Sequence, residues 1–158
     1  MIVEIELPIL STKKIILLQP TSAGVIVINN DKTKLLLVKG KVKGKWGPPK
    51  GKIEHQEHTQ TAAIRELYEE TGIKLDIKDA VRYKNTNKPY QLYLSNIIFY
   101  IFYLNEDEYK IFNPVDTDEI IEVKWFSIIE LNKSINNGNY NSPMRFIYKN
   151  KYVQALLH

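Results

Sequence analysis

Three glutamates crowd one face of a short helix, and no other feature constrains this chain as strongly. The stretch Thr59–Thr71 has the pattern of a helix, and Gly72 stands where a helix C-terminus is expected. Glu66, Glu69 and Glu70 are three and four residues apart, so their carboxylates share one face near that end. Like charges at this spacing repel, and the helix dipole disfavours anions at a C-terminus. A divalent cation would remove this cost, whereas a solvated acidic face is the alternative that needs no metal.

A fixed pattern of other residues surrounds these carboxylates. Gly51 is followed after five residues by Glu57, and after seven more by the sequence Arg-Glu-Leu-Tyr-Glu-Glu-Thr-Gly-Ile, which begins at Arg65. All nine specified positions of this 23-residue frame match the signature of the Nudix hydrolases. The chain therefore resembles that family, which implies hydrolysis of a nucleoside diphosphate linked to another moiety.

The resemblance also assigns roles by motif position. The groups that would bind Mg²⁺ or Mn²⁺ are the Gly51 carbonyl and the carboxylates of Glu66, Glu69 and Glu70. Arg65 and Glu57 would hold the helix and the loop before it in register.

The rest of the sequence predicts strands on both sides of the helix. Apolar, β-rich segments lie at residues 2–7, 15–18, 21–28, 34–38, 92–94, 97–104 and 121–126, with a bulge at residues 95–96. Residues 73–77 are predicted to begin another strand, and residues 143–157 a terminal helix with Pro143 in its first turn. This order predicts an α/β protein with a mixed sheet between helices. The Nudix resemblance implies the same fold, an α/β/α sandwich, as a single domain over residues 1–158.

The chemistry of pyrophosphate cleavage agrees with the assigned roles. Water attacks phosphorus in line, so catalysis consists mainly of neutralising phosphate charge and positioning the water. A carboxylate takes the proton of the water, and Glu70 is one catalytic candidate. Lys50 and Lys52 lie beside the predicted metal site and would bind substrate phosphates. Three other lysines of this basic loop, Lys39, Lys41 and Lys43, are predicted to be solvated, with a polyanion-binding edge as the alternative.

Two further segments resemble the catalytic domain of mRNA-decapping enzymes. Residues 45–53, Lys-Trp-Gly-Pro-Pro-Lys-Gly-Lys-Ile, follow the Trp-Gly-Phe-Pro-Lys-Gly-Lys of that family, except that Pro48 replaces Phe. With proline at this position, the segment Trp-Gly-Pro-Pro-Lys-Gly also resembles that of diadenosine tetraphosphate hydrolases. Residues 112–127 contain Phe-Asn-Pro, then Glu-Ile, then Trp-Phe, as the decapping pattern does.

The decapping resemblance adds two candidate site residues. It implies that Glu119, the acid of the Glu-Ile pair, is a metal ligand and a general base; from the residues alone it would be an exposed loop carboxylate. Trp46 would stack on a substrate base, although an aromatic residue in a strand is more often part of the core.

Three functions stay open on this sequence. The first is decapping of capped RNA, which yields methylated GDP and RNA with a 5′-monophosphate. The second is hydrolysis of dinucleoside polyphosphates, diphosphoinositol polyphosphates or nucleoside triphosphates. The third is a non-catalytic Nudix module that binds nucleotides or RNA, and the complete glutamate set argues against it.

Composition and targeting signals predict a cytoplasmic protein with no membrane partner. The sequence contains no cysteine, which excludes disulfides, thiol nucleophiles and thiolate zinc sites. Its longest apolar run, Ile97–Leu104, is far shorter than the roughly 18 residues of a membrane helix. The N-terminus carries Glu4 and Glu6 without a leading positive charge, unlike a secretory signal.

Overall fold

The computed structural model describes residues 3–5 and 16–158, which form nine strands and four helices. The strands are β1 (Val3–Ile5), β2 (Ile16–Leu18), β3 (Ser22–Asn29), β4 (Lys34–Gly40), β5 (Trp46–Gly47), β6 (Lys50–Lys52), β7 (Gln91–Leu94), β8 (Ile97–Leu104) and β9 (Ile120–Ser127). The helices are α1 (Thr59–Thr71), α2 (Ile128–Ser134), α3 (Ser142–Lys149) and α4 (Lys151–Leu156). Strands β1 and β2 pair with each other; residues 2, 6, 7 and 15 of the two predicted N-terminal strands lie outside the described residues.

Strand β3 lies at the centre of a mixed sheet. It pairs in parallel with β8 over its full length, and its other edge pairs antiparallel with β6 at one end and with β4 at the other. Strand β4 also pairs antiparallel with β5 and β9, and β7 pairs antiparallel with β8. Residues 23–29 of β3 are all buried, as expected for a strand covered on both faces.

Helices cover both faces of this sheet. Successive side chains of β3 point to opposite faces, so Val25 and Val27 pack with Leu67 of α1, while Ile26 and Ile28 contribute to the core on the other face. That second core also contains apolar residues of α2, α3 and α4. Each fully buried aliphatic side chain stabilises the fold by about 1.5–3 kcal/mol. The prediction of an α/β/α sandwich with a mixed sheet is confirmed.

Helix α1 has the predicted bounds, Thr59–Thr71. It ends because Gly72 adopts a left-handed conformation with φ of 81°, from which its N–H donates to the carbonyl of Tyr68 at 2.8 Å. A Cβ at Gly72 would lie 2.6 Å from the carbonyl oxygen of Asn113, so both the backbone conformation and the close approach require glycine.

The predicted strand at residues 73–77 is wrong. These described residues are irregular and lead into a 3₁₀ turn at Ile77–Asp79. The alternation of Ile73, Leu75 and Ile77 instead reflects their burial against the core on the α1 side of the sheet. An alternating pattern reports one buried face, but a strand also requires a neighbouring backbone with which to pair.

Two other predicted features differ in detail. The terminal helix is divided at Asn150, whose ψ of 126° ends α3 and whose side chain accepts hydrogen bonds from the N–H groups of Tyr152 and Val153 at the start of α4. Residues 95–96 form the tight turn between β7 and β8 rather than a bulge, with Ser95 at φ of 54°. Within the described ranges, no helix is long and apolar enough to cross a bilayer.

Candidate active site

Gly51 brings the backbone of β6 against the glutamates of α1. Strand β6 is held in place by its antiparallel pairing with β3, in which Gly51 lies opposite Ala23. A Cβ at Gly51 would lie only 2.1 Å from the carboxyl carbon of Glu66. The absence of a side chain at Gly51 therefore allows the carboxylate to reach the strand.

Arg65 links the helix to the loop that precedes it. Its Nε and Nη2 donate to the two carboxylate oxygens of Glu57 at 2.8 and 2.9 Å, and Nη2 also donates to the carbonyl of Lys52 at 2.9 Å. Its Nη1 donates to Glu66 at 2.9 Å and to Glu69 at 3.2 Å. The hydrogen bond from Arg65 lowers the pKa of Glu57, and the same bond raises the pKa of Arg65. The planar guanidinium thus contacts both segments of the signature at once.

Glu70 is the most deeply buried of the clustered glutamates, with 4% of its surface exposed. One oxygen accepts a hydrogen bond from the backbone N–H of Lys50 at 3.1 Å. Burial, together with the negative charges of Glu66 and Glu119, raises the pKa of Glu70 to about 8, and the hydrogen bond from the Lys50 N–H opposes this change. Burial also raises the pKa of Glu66, although its hydrogen bond with Arg65 opposes this change. Without a cation, these carboxylates are therefore held in a site that disfavours their ionised forms.

Residues 113–116 attach the Glu119 loop to the end of α1. The N–H of Asn113 donates to the carbonyl of Thr71 at 3.1 Å, and the N–H groups of Val115 and Asp116 donate to the carbonyl of Glu69 at 2.8 and 2.9 Å. These bonds satisfy carbonyls that a helix C-terminus leaves without partners. The side chain of Asp116 then accepts a hydrogen bond from the N–H of Glu119 at 3.2 Å.

Glu119 is exposed and lies close enough to affect the pKa of both Glu66 and Glu70. Together with Glu70 it lines a cavity of about 360 Å³. Lys50, the predicted phosphate ligand, lines the same cavity. The structure thus brings three of the predicted site residues to one cavity, although they come from β6, α1 and the loop before β9.

Sequence reasoning missed several residues of this cavity. The additional lining residues with polar or charged side chains are Lys41, Lys43, Lys45 and Asn141. The lysine run was visible in the sequence, but its position depends on the pairing of β4 with β5 and β9, which the sequence does not specify. Nothing in the sequence marks Asn141 as a site residue, because an asparagine just before a helix is expected to be a cap. Its side chain does cap α3, accepting a hydrogen bond from the N–H of Met144.

Two predicted substrate residues are placed elsewhere. Trp46 is half-buried, packs edge-on against Phe126 with ring centroids 4.7 Å apart, and is not among the residues that line the cavity of Glu70. Lys39 and Lys124 lie over its ring at 5.9 and 6.0 Å. Lys52 lines a second cavity, of about 500 Å³, on the side of the loop at residues 53–57.

The carboxylates fit a hard divalent cation in chemistry but are not arranged around one. Across residues 3–5 and 16–158, no three histidine, aspartate or glutamate side chains are placed to hold a metal ion. Arg65 contacts the carboxylates of Glu66 and Glu69 through Nη1 alone. Because the guanidinium is rigid, these two carboxylates would have to turn away from Nη1 to reach an ion, while Nε and Nη2 keep their bonds to Glu57. Oxygen donors of this kind are the ligands that hard divalent cations prefer.

Similarity to known proteins identifies the family. The NUDIX domain family matches residues 18–146. The chain is 36% identical over 112 residues to the m7GpppN-mRNA hydrolase dcap-2 of Caenorhabditis elegans, an alignment that covers 68% of this chain and 14% of that protein. It is 30% identical over 131 residues to the m7GpppN-mRNA hydrolase of Saccharomyces cerevisiae, covering 77% of this chain and 13% of that protein. The chain thus spans about one-seventh of the length of these relatives.

Solved structures show the same fold. A NUDIX-family hydrolase from Clostridium perfringens superimposes with a TM-score of 0.60 at 20% identity, covering 89% of this chain and 99% of that one. A NUDIX hydrolase from Nitrosomonas europaea gives a TM-score of 0.56 at 21% identity, with coverage of 89% and 93%. Nudix hydrolases generally use divalent metal ions and act on substrates that contain nucleotides. The chain belongs to the NUDIX domain family, and the predicted family is confirmed.

Proposed function

We propose that this Nudix hydrolase removes the cap from mRNA, cleaving capped RNA to methylated GDP and RNA with a 5′-monophosphate. The observation that carries the proposal is the cavity that Glu70 and Glu119 share with four lysines, Lys41, Lys43, Lys45 and Lys50. Carboxylates for a cation and ammonium groups for phosphates are the two requirements of phosphoanhydride hydrolysis. The proposal includes a single domain over residues 1–158 and a cytoplasmic location.

The proposed metal ligands are the carboxylates of Glu66, Glu69, Glu70 and Glu119 and the carbonyl of Gly51. When bound there, Mg²⁺ or Mn²⁺ neutralises phosphate charge and makes water a better nucleophile. Arg65 and Glu57 keep the loop and helix at a fixed separation through their paired hydrogen bonds. Lys50, beside Glu70, binds the reacting phosphates.

Proton transfer is assigned to Glu119, with Glu70 as the second catalytic carboxylate. The oxygen of water attacks phosphorus, the bond to the bridging oxygen breaks, and the proton of the water passes to the carboxylate. Exposure of Glu119 at the cavity leaves its oxygens accessible to water. Asp116 and the carbonyl of Glu69 fix the backbone of its loop.

The similarity to two m7GpppN-mRNA hydrolases supports capped RNA as the substrate. Hydrolysis of dinucleoside polyphosphates, diphosphoinositol polyphosphates or nucleoside triphosphates is the second candidate, since Pro48 departs from the decapping pattern and lines the cavity. A base-stacking role for Trp46 and a phosphate-binding role for Lys52 have less support, because neither residue lines that cavity.

A competition assay tests the substrate. Capped RNA of some tens of nucleotides competes with free cap dinucleotide and diadenosine tetraphosphate in the presence of Mg²⁺ or Mn²⁺. We expect preferential cleavage of the long RNA, with a preference that weakens as salt rises, because a basic groove releases counterions when it binds a polyanion. Efficient cleavage of the free dinucleotides in preference to RNA would refute decapping.

Variants test the catalytic assignment in the same assay. Glu119→Gln is expected to lower turnover about 100-fold or more, as loss of a general base does. Glu122→Gln, at an exposed position of β9, removes the same charge and is expected to leave turnover unchanged. Equal turnover of the Glu119 variant and the control would exclude Glu119 as ligand and base.

A further inference from the structure

Three lysines of the loop between β4 and β5 surround the mouth of the cavity. Lys41, Lys43 and Lys45 are all exposed, and all three line the cavity that contains Glu70 and Glu119. We refer to them as the lysine rim. From the sequence alone, two of the three were predicted to be ordinary solvated lysines, so their position at the cavity is a feature that only the fold shows.

Backbone hydrogen bonds hold the rim in a defined place. The N–H of Gly40 donates to the carbonyl of Lys45 at 3.0 Å, and the N–H of Gly44 donates to the carbonyl of Gly40 at 2.9 Å. The N–H of Lys41 donates to the carbonyl of Glu119 at 2.7 Å. The rim is therefore attached directly to the loop that carries the proposed general base.

The rim lysines have no close acidic partner in the part of the chain that the structure describes. Three ammonium groups within five residues repel one another, and an anion that binds between them relieves that repulsion. Clustered cations of this kind favour the binding of a polyanion.

We propose that the lysine rim binds the phosphodiester chain of RNA next to the linkage that is cleaved. This inference rests on the proposed function and extends it to the part of the substrate beyond the cap. Lys50 is half-buried and its backbone bonds Glu70, so it lies where the reacting phosphates would be held. The rim lysines are exposed at the mouth of the cavity, where the chain that leaves the site would pass.

The test compares two triple variants with the same net charge. One replaces the rim (Lys41→Gln, Lys43→Gln and Lys45→Gln), and the other replaces three exposed lysines that do not line the cavity (Lys78→Gln, Lys84→Gln and Lys133→Gln). Binding of fluorescent RNA with a 5′-monophosphate is measured by anisotropy with a chelator, at salt concentrations of about 50 to 200 mM. Michaelis constants for capped RNA and for free cap dinucleotide are measured in parallel.

For the rim variant, the slope of log affinity against log salt should decrease in magnitude by about 2, because each contact with a single-stranded phosphate contributes about 0.7. The control should keep the slope of the wild type. The Michaelis constant of the rim variant should rise by a larger factor for capped RNA than for cap dinucleotide.

Three results would overturn the inference: an unchanged salt slope, an equal decrease in both triple variants, or equal rises in the Michaelis constant for RNA and dinucleotide. The last result would mean that the rim holds the reacting polyphosphate. RNA binding is measured without turnover, so it still tests the rim if capped RNA proves not to be the substrate.

Discussion

Replacement of Glu70 by glutamine should stabilise the metal-free protein at neutral and alkaline pH. Glu70 is nearly fully buried, and its pKa is raised to about 8 by burial and by neighbouring carboxylates. The amide oxygen of Gln can still accept the hydrogen bond that the N–H of Lys50 donates to Glu70. The variant thus removes the ionisable group but keeps the shape of the side chain and its one hydrogen bond.

The magnitude follows from the difference between the folded and unfolded pKa. The unfolded carboxyl titrates near 4.5 and the folded one near 8, so the folded protein retains a proton that the unfolded chain has lost. The stabilisation is complete below the unfolded pKa and is lost as pH rises through the folded pKa. One pKa unit corresponds to about 1.4 kcal/mol, which sets an upper limit of about 5 kcal/mol, of which about 3 kcal/mol is lost by pH 7.

Urea denaturation in a chelating buffer at pH 5, 7 and 9 measures this effect. The stability of Glu70→Gln relative to wild type should increase by several kcal/mol between pH 5 and 9. Glu122→Gln, which removes an exposed carboxylate, should follow the wild-type pH profile. Parallel profiles for wild type and Glu70→Gln would refute the argument that burial holds Glu70 in its protonated form.

Three further substitutions test how the site is held together. Gly51→Ala places a Cβ within 2.1 Å of the carboxyl carbon of Glu66, and displacement of this carboxylate should lower kcat about 100-fold. Wild-type rates would show that catalysis does not depend on the observed position of the Glu66 carboxylate. Arg65→Lys cannot make the paired hydrogen bonds to the loop, so thermal denaturation should show a loss of about 2 kcal/mol, and an unchanged Tm would contradict a structural role. Asp116→Ala removes the side-chain acceptor for the N–H of Glu119 and leaves only the backbone carbonyl of residue 116, so kcat should fall about tenfold while KM and Tm stay close to wild type. A fall in Tm without a change in kcat would indicate a purely structural contact.

The fold and the glutamate cluster could be predicted because local rules determine them. The bounds of α1 follow from its apolar pattern and from Gly72, and the spacing of Glu66, Glu69 and Glu70 fixes their common face. The predicted strands of the sheet are apolar, β-rich segments with turn residues at their ends. The short strands β5 and β6 are not, and they lie in residues 40–52, which the sequence wrongly predicts to be a loop. None of these inferences requires knowledge of which strand lies beside which.

The rest depends on contacts between distant parts of the chain. The lysine rim borders the cavity because Lys41 bonds the backbone of Glu119, 78 positions further along the chain. Trp46 is absent from the cavity lining and packs on Phe126 of β9. Asn150 divides the last helix because its side chain offers the backbone a competing hydrogen bond, a choice that helix propensity alone does not settle.

Anomalous diffraction from crystals grown with Mn²⁺ tests the central claim most directly. We expect a manganese ion in contact with the carboxylates of Glu66, Glu69 and Glu70, with the Glu66 carboxylate turned from Nη1 of Arg65 towards the ion and the bonds of Arg65 to Glu57 retained. A fully active preparation whose crystals show no manganese at these carboxylates, with Arg65 still bonded to Glu66, would contradict the account.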